Sequence, residues 1–93
     1  MNVVTSATDL EARNAGLDEL PPRELRYDRA DEVLEACFAL WDGWEVDAFV
    51  FDKKNGVLAD PSKVHYANYR GRWVRTRGPL SIPRSPQGHP VVL

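Results

Sequence analysis

One stretch of the chain carries apolar side chains at clear helical spacing. Ala30, Val33, Leu34, Cys37 and Trp41 stand at i, i+3, i+4, i+7 and i+11. The pattern predicts an amphipathic helix of about five turns over residues 22–41. Pro22 fits a first helical turn, acids gather towards the N-terminal end, and Asp42-Gly43 supplies the stop. On the face opposite the stripe, Arg29, Asp31, Glu32 and Glu35 are expected to meet water.

Outside this helix the pattern is β-like or broken. Asn2-Val3-Val4-Thr5-Ser6 is a short strand-prone run. Residues 7–24 are polar and interrupted by Gly16 and Pro21-Pro22, with a helical turn that Thr8 can cap and Glu11 can close. After the helix, residues 48–51 and 57–58 flank a strong Asn55-Gly56 turn signal. A second hairpin is predicted around Arg70-Gly71, between Tyr66-Ala67-Asn68-Tyr69 and Arg72-Trp73-Val74-Arg75-Thr76. Residues 78–90 read as a proline-fixed extended connector, and Pro90-Val91-Val92-Leu93 begins another apolar strand.

Short strand, long helix, hairpin insertion and start of the next strand is the order of an α/β unit whose strands run parallel. One unit cannot cover such a sheet on both faces. A (β/α)8 TIM-type barrel needs about 250 residues, so 93 would supply roughly a third of one. The fold class expected is therefore α/β, as a piece of such a barrel, with residues 1–93 a partial domain incomplete at both ends.

Composition narrows the function. The 43% hydrophobic and 28% charged shares argue for a globular chain rather than a disordered one. The absence of a long apolar run or a secretion signal predicts a soluble, cytoplasmic protein without membrane contact. A single cysteine, Cys37, on the apolar stripe, excludes an internal disulfide and is expected to be packed rather than nucleophilic. His65 and His89 lie 24 positions apart, and no residue pair has metal-ligand spacing, so no metal is expected. Charge is polarised. Residues 1–62 hold fourteen acids against six bases, a net −8, whereas residues 63–93 hold Lys63, Arg70, Arg72, Arg75, Arg77 and Arg84 and no acid, a net +6. The basic third, with Tyr66, Tyr69 and Trp73 interleaved, reads either as a surface docked on acidic parts of the fold or assembly or as a nucleic-acid footprint. Docking is preferred, since no RNA-binding motif is present.

Candidate chemistry is sparse. Thr5 and Ser6 stand at the C-terminal end of the first strand, where α/β sheets line their ligand sites, with capping of the strand end as the alternative. The hydroxyl of Tyr27 could reach a phosphate or simply pack. A small non-catalytic module that dimerises through the Trp41 and Trp44 end is a further reading, as is a weak nucleic-acid binder.

Asn-Val-Val-Thr-Ser at 2–6, Glu-Ala-Arg-Asn at 11–14, Gly-Leu-Asp at 16–18, Arg26-Tyr27, Ala30-Asp31-Glu32, Leu40-Trp41-Asp42 and Phe51-Asp52-Lys53 follow one another in order. Ala59-Asp60-Pro61, Lys63-Val64-His65, Arg70-Gly71, Gly78-Pro79-Leu80, the run from Ile82 to Gly88, and Pro90-Val91 continue the series. Together they resemble the middle of flavin-dependent monooxygenases of the nitrilotriacetate and dibenzothiophene-sulfone type, in the bacterial luciferase-like superfamily. The resemblance implies a (β/α)8 barrel with insertions and an oxidoreductase that uses reduced FMN and oxygen on a small organic substrate. It also implies a separate NAD(P)H-dependent flavin reductase as partner, and association into homo-oligomers is open. Ser6 matches a position near the flavin and Tyr27 a tyrosine at the FMN phosphate. Arg23 stands where the family usually has a histidine that contacts FMN, and Asn2 and Thr5 are weaker flavin candidates. Catalytic residues are not assigned. Earlier strands and a Gln-Ala-Gly-Ser-rich phosphate loop have no counterpart in these residues, so the segment alone is expected to be inactive and to hold FMN weakly.

Overall fold

A computed structural model describes residues 1–54 and 56–93. Asn55, half of the predicted Asn-Gly turn, lies outside the described residues. Helix α1, Asp9–Asn14, starts as predicted: the Thr8 hydroxyl accepts from the Glu11 N–H (3.3 Å). The Glu11 carboxylate accepts in turn from the Ala7 N–H (3.0 Å). Helix α2, Arg23–Trp41, spans the apolar stripe, with Pro22 as its N-cap. It ends against a steric stop. A Cβ on Gly43 would lie 2.9 Å from the His65 carbonyl oxygen, so glycine is required there by close approach rather than by a left-handed φ.

The stripe is not the best-covered face of α2. Its buried residues are Glu32 and Ala36, while Val33 on the stripe is 40% exposed. The expectation of a fully solvated Glu32 and Glu35 is therefore corrected. Glu32 Oε1 accepts from the backbone N–H groups of Trp73 and Val74, both at 2.8 Å, and Glu35 Oε2 accepts from the Tyr69 hydroxyl at 2.8 Å.

Those contacts shape the insertion. Residues 43–45 lie beside 63–65 in an antiparallel bridge between Trp44 and Val64. Strands β1, Phe49–Asp52, and β2, Val57–Ala59, form the first hairpin. Strands β3, Tyr69–Arg70, and β4, Arg75–Thr76, form the second, with Tyr69 opposite Thr76 and Arg70 opposite Arg75. Its connection is residues 71–74, not the Arg70-Gly71 pair predicted, because the Glu32 carboxylate draws in the amides of Trp73 and Val74. Gly71 makes room for this arrangement: a Cβ there would sit 1.8 Å from Glu32 Oε1, so a larger residue would have to displace the carboxylate.

The two ends of the chain meet. The Val3 N–H donates to the Leu93 carbonyl and the Leu93 N–H to the Met1 carbonyl, each at 2.9 Å. One residue bonded to both neighbours of its opposite number is the parallel pattern, but the contact is confined to these end residues. Neither the run at 2–6 nor that at 90–93 forms the predicted strand, and the sheets among the described residues are antiparallel hairpins. Trp44 ties the connector to the end of α2 by donating Nε1–H to the Leu80 carbonyl (3.0 Å). His89 stacks on Phe38 at 5.1 Å and meets Asp42 Oδ1 at 2.6 Å.

Packing is thin. The buried apolar residues are Ala12, Ala36 and Ala48, and among the described residues no large side chain is fully buried. The radius of gyration is 17.3 Å, against about 12 Å for a compact chain of this length. Accessible surface is 7235 Å², where a compact protein of 10.5 kDa exposes about 5,400 Å². Among the described residues no helix is long and apolar enough to cross a membrane.

Candidate functional site

The open side of α2 and the N-terminal segment enclose a groove of about 650 Å³. Val3, Val4, Ala30 and Leu34 form its apolar floor, and Thr5, Ser6 and Tyr27 bring hydroxyls to it. Residues separated by some twenty positions are thus brought together by the strand-to-helix crossing. Tyr27 is 49% exposed, and the Arg23 guanidinium lies 5.4 Å from its ring centroid. Asn2 is exposed on the same segment but does not line the groove.

Ser6 adopts a left-handed backbone with φ of 68°, a conformation costly for a side chain with a Cβ. Arg26 supports it. Its Nη1 donates to the Ser6 carbonyl at 2.8 Å and the Thr5 carbonyl at 3.3 Å, while its Nε is buried without a hydrogen-bond partner. Arg26 drew attention in the sequence only as part of a motif. The bond that gives it a role spans twenty residues, so no local spacing could reveal it.

Glu11 and Asp31 also line the groove. Their carboxylates oppose a second anion, whereas the Arg23 guanidinium, which lies against Tyr27 without lining the groove, favours one. Two histidines lie away from the groove: His65 pairs with Glu45 (2.7 Å), and His89 with Asp42. Cys37 is half-buried, as its place on the stripe predicts. Among the described residues no three metal-ligating side chains gather.

No family model matches the chain. It is 58% identical over 92 residues to dibenzothiophene-sulfone monooxygenase of Rhodococcus erythropolis, covering 99% of this chain and 20% of that protein. The crystal structure of a long-chain alkane monooxygenase superposes with a TM-score of 0.90 at 41% identity, over 98% of this chain and 21% of that one. A riboflavin lyase solved with modified FMN and riboflavin superposes with a TM-score of 0.84 at 42% identity, over 98% and 20%. The likeness to such monooxygenases, read from ordered short motifs, holds over essentially the whole chain. The chain spans about a fifth of the length of the relatives it matches.

Proposed function

Because this chain is related throughout its length to monooxygenases of the dibenzothiophene-sulfone type, we propose that it is a central segment of a flavin-dependent monooxygenase. In this reading it is one strand, helix, strand unit of a (β/α)8 barrel, with the two hairpins as an insertion. It forms one wall of the FMN phosphate site. The observation that carries the reading is the convergence of Thr5, Ser6 and Tyr27 on one groove between the N-terminal segment and α2, with Arg23 against Tyr27.

The residues fit such a group. The Tyr27 and Ser6 hydroxyls can donate to phosphate oxygens, and Arg23 adds a cation that keeps its charge at neutral pH. Arg26 fixes the backbone that presents Ser6. Asn2, outside the lining, is left with the flavin only through its strand. When bound and reduced, FMN would supply the two electrons with which O2 gives one oxygen atom to a small organic substrate and the other to water. The work of these residues is to bind and orient the phosphate end. A separate flavin reductase supplies the reduced cofactor, the whole protein works in the cytoplasm, and the 93 residues alone are inactive.

Flavin fluorescence titration tests this. The isolated chain should bind FMN no tighter than about 1 mM, since a few groups on one wall barely offset the entropy of ordering them. Micromolar binding would overturn the partial-site reading. In a chimaera carrying this segment in place of the matching fifth of dibenzothiophene-sulfone monooxygenase, Tyr27→Phe should weaken FMN binding by about 0.5–3 kcal/mol. Unchanged affinity there would remove Tyr27 from the site.

A further inference from the structure

The register of the second hairpin places Arg70 directly opposite Arg75. Like charges across a strand pair destabilise it, and no acid between residues 63 and 93 offsets them. Arg77 lies two positions beyond Arg75, on the same face of the strand. Arg77 is held in place: Nη2 donates to the Tyr66 hydroxyl at 2.7 Å, and the guanidinium covers the Tyr66 ring at 4.5 Å. These three arginines, with Asn68, Tyr69 and Thr76, line a cleft of about 310 Å³ along the hairpin.

The hairpin is anchored to α2. Tyr69 and the amides of Trp73 and Val74 are bound by Glu35 and Glu32 of α2. Both carboxylates are thus engaged by hydrogen bonds to the hairpin, Glu35 through the cleft-lining Tyr69. Three guanidinium forks along one anchored hairpin suit a ligand with three or more charged oxygens. A carboxylate offers two, whereas a terminal phosphate offers three.

We propose that this cleft is a binding site for a phosphate group, free or carried by a small ester, held by Arg70, Arg75 and Arg77 and separate from the Ser6–Tyr27 groove.

The test is nuclear magnetic resonance titration of the isotope-labelled chain, in a phosphate-free buffer, with inorganic phosphate, glycerol phosphate and acetate. Saturable shifts confined to residues 68–77, with an affinity of about 1 mM, are expected for both phosphates and weaker ones for acetate. A preference between the two phosphates identifies the free or ester-borne form. Arg75→Gln should weaken phosphate binding roughly tenfold. The same variant should raise the melting temperature without phosphate, because it removes the like-charge pair, and should lose the further rise that phosphate gives the parent chain. Arg72→Gln, whose guanidinium lies 4.6 Å over Trp73 outside the cleft, should bind phosphate as the parent does. Non-saturating shifts, equal weakening by Arg72→Gln, or a melting temperature lowered by Arg75→Gln would overturn the site. Tighter, saturable binding of a single-stranded oligonucleotide through the same arginines would replace it with a nucleic-acid surface.

Discussion

Removing the Glu32 carboxylate should release the second hairpin from α2. Glu32 is 8% exposed, and one of its oxygens accepts two backbone N–H bonds at 2.8 Å. Hydrogen bonds to a charged acceptor contribute about 1.5–3 kcal/mol each, which sets an upper bound of about 3–6 kcal/mol for Glu32→Ala. Relief of carboxylate desolvation offsets part of this, leaving about 2–4 kcal/mol. A chain of this length has about 5–14 kcal/mol in all, and this one has little buried apolar surface to supply it. Glu32→Gln keeps an acceptor but loses the charge, so about 1–2 kcal/mol is expected. Amide hydrogen exchange reads the effect locally. Exchange at Trp73 and Val74 should accelerate about 30- to 1,000-fold in Glu32→Ala and by a smaller factor in Glu32→Gln. Unchanged exchange at both amides in Glu32→Ala would refute the contact. Equal acceleration in the two variants would show that charge alone matters, and would refute the hydrogen-bond account.

Three further outcomes follow from the same geometry. Gly71→Ala should displace the Glu32 carboxylate, reproduce most of the Glu32→Ala loss, and be non-additive with it in a double-mutant cycle; independent effects would show that the new methyl is accommodated elsewhere. Burial, and then the bond to Glu35, push the Tyr69 phenol up to about 12, so its stabilisation is fully present below pH 10 and is lost as pH rises towards 12. Ultraviolet titration of Glu35→Gln should show that phenol ionising at lower pH, and an unmoved transition would discard the Glu35 contact. With only three apolar residues buried among the described ones and with Val4, Val91 and Leu93 at 68–80% exposure, the chain should melt at low temperature and self-associate; a cooperative transition above about 60 °C from a strict monomer would contradict this.

The amino-acid sequence by itself determined the local elements. Helix α2 follows from the spacing of Ala30 to Trp41, α1 from Thr8 as its cap, and the presence of two hairpins from paired β-prone runs close in sequence, all of them interactions between near neighbours. The likeness to the monooxygenases was legible for a similar reason, since short ordered motifs survive as strings. Tertiary structure decided which faces are covered. Whether Glu32 meets water or two amides depends on residues 73 and 74, forty-one and forty-two positions away, and periodicity carries no information at that range. The same contact moved the hairpin's turn to residues 71–74 and left no room for a Cβ at Gly71 unless the Glu32 side chain moves. In the groove, Thr5, Ser6 and Tyr27 could be named from the sequence, but their convergence could not. Nor could the bonds from Arg26 that support the left-handed Ser6, because those exist only once the strand end and the helix are packed side by side.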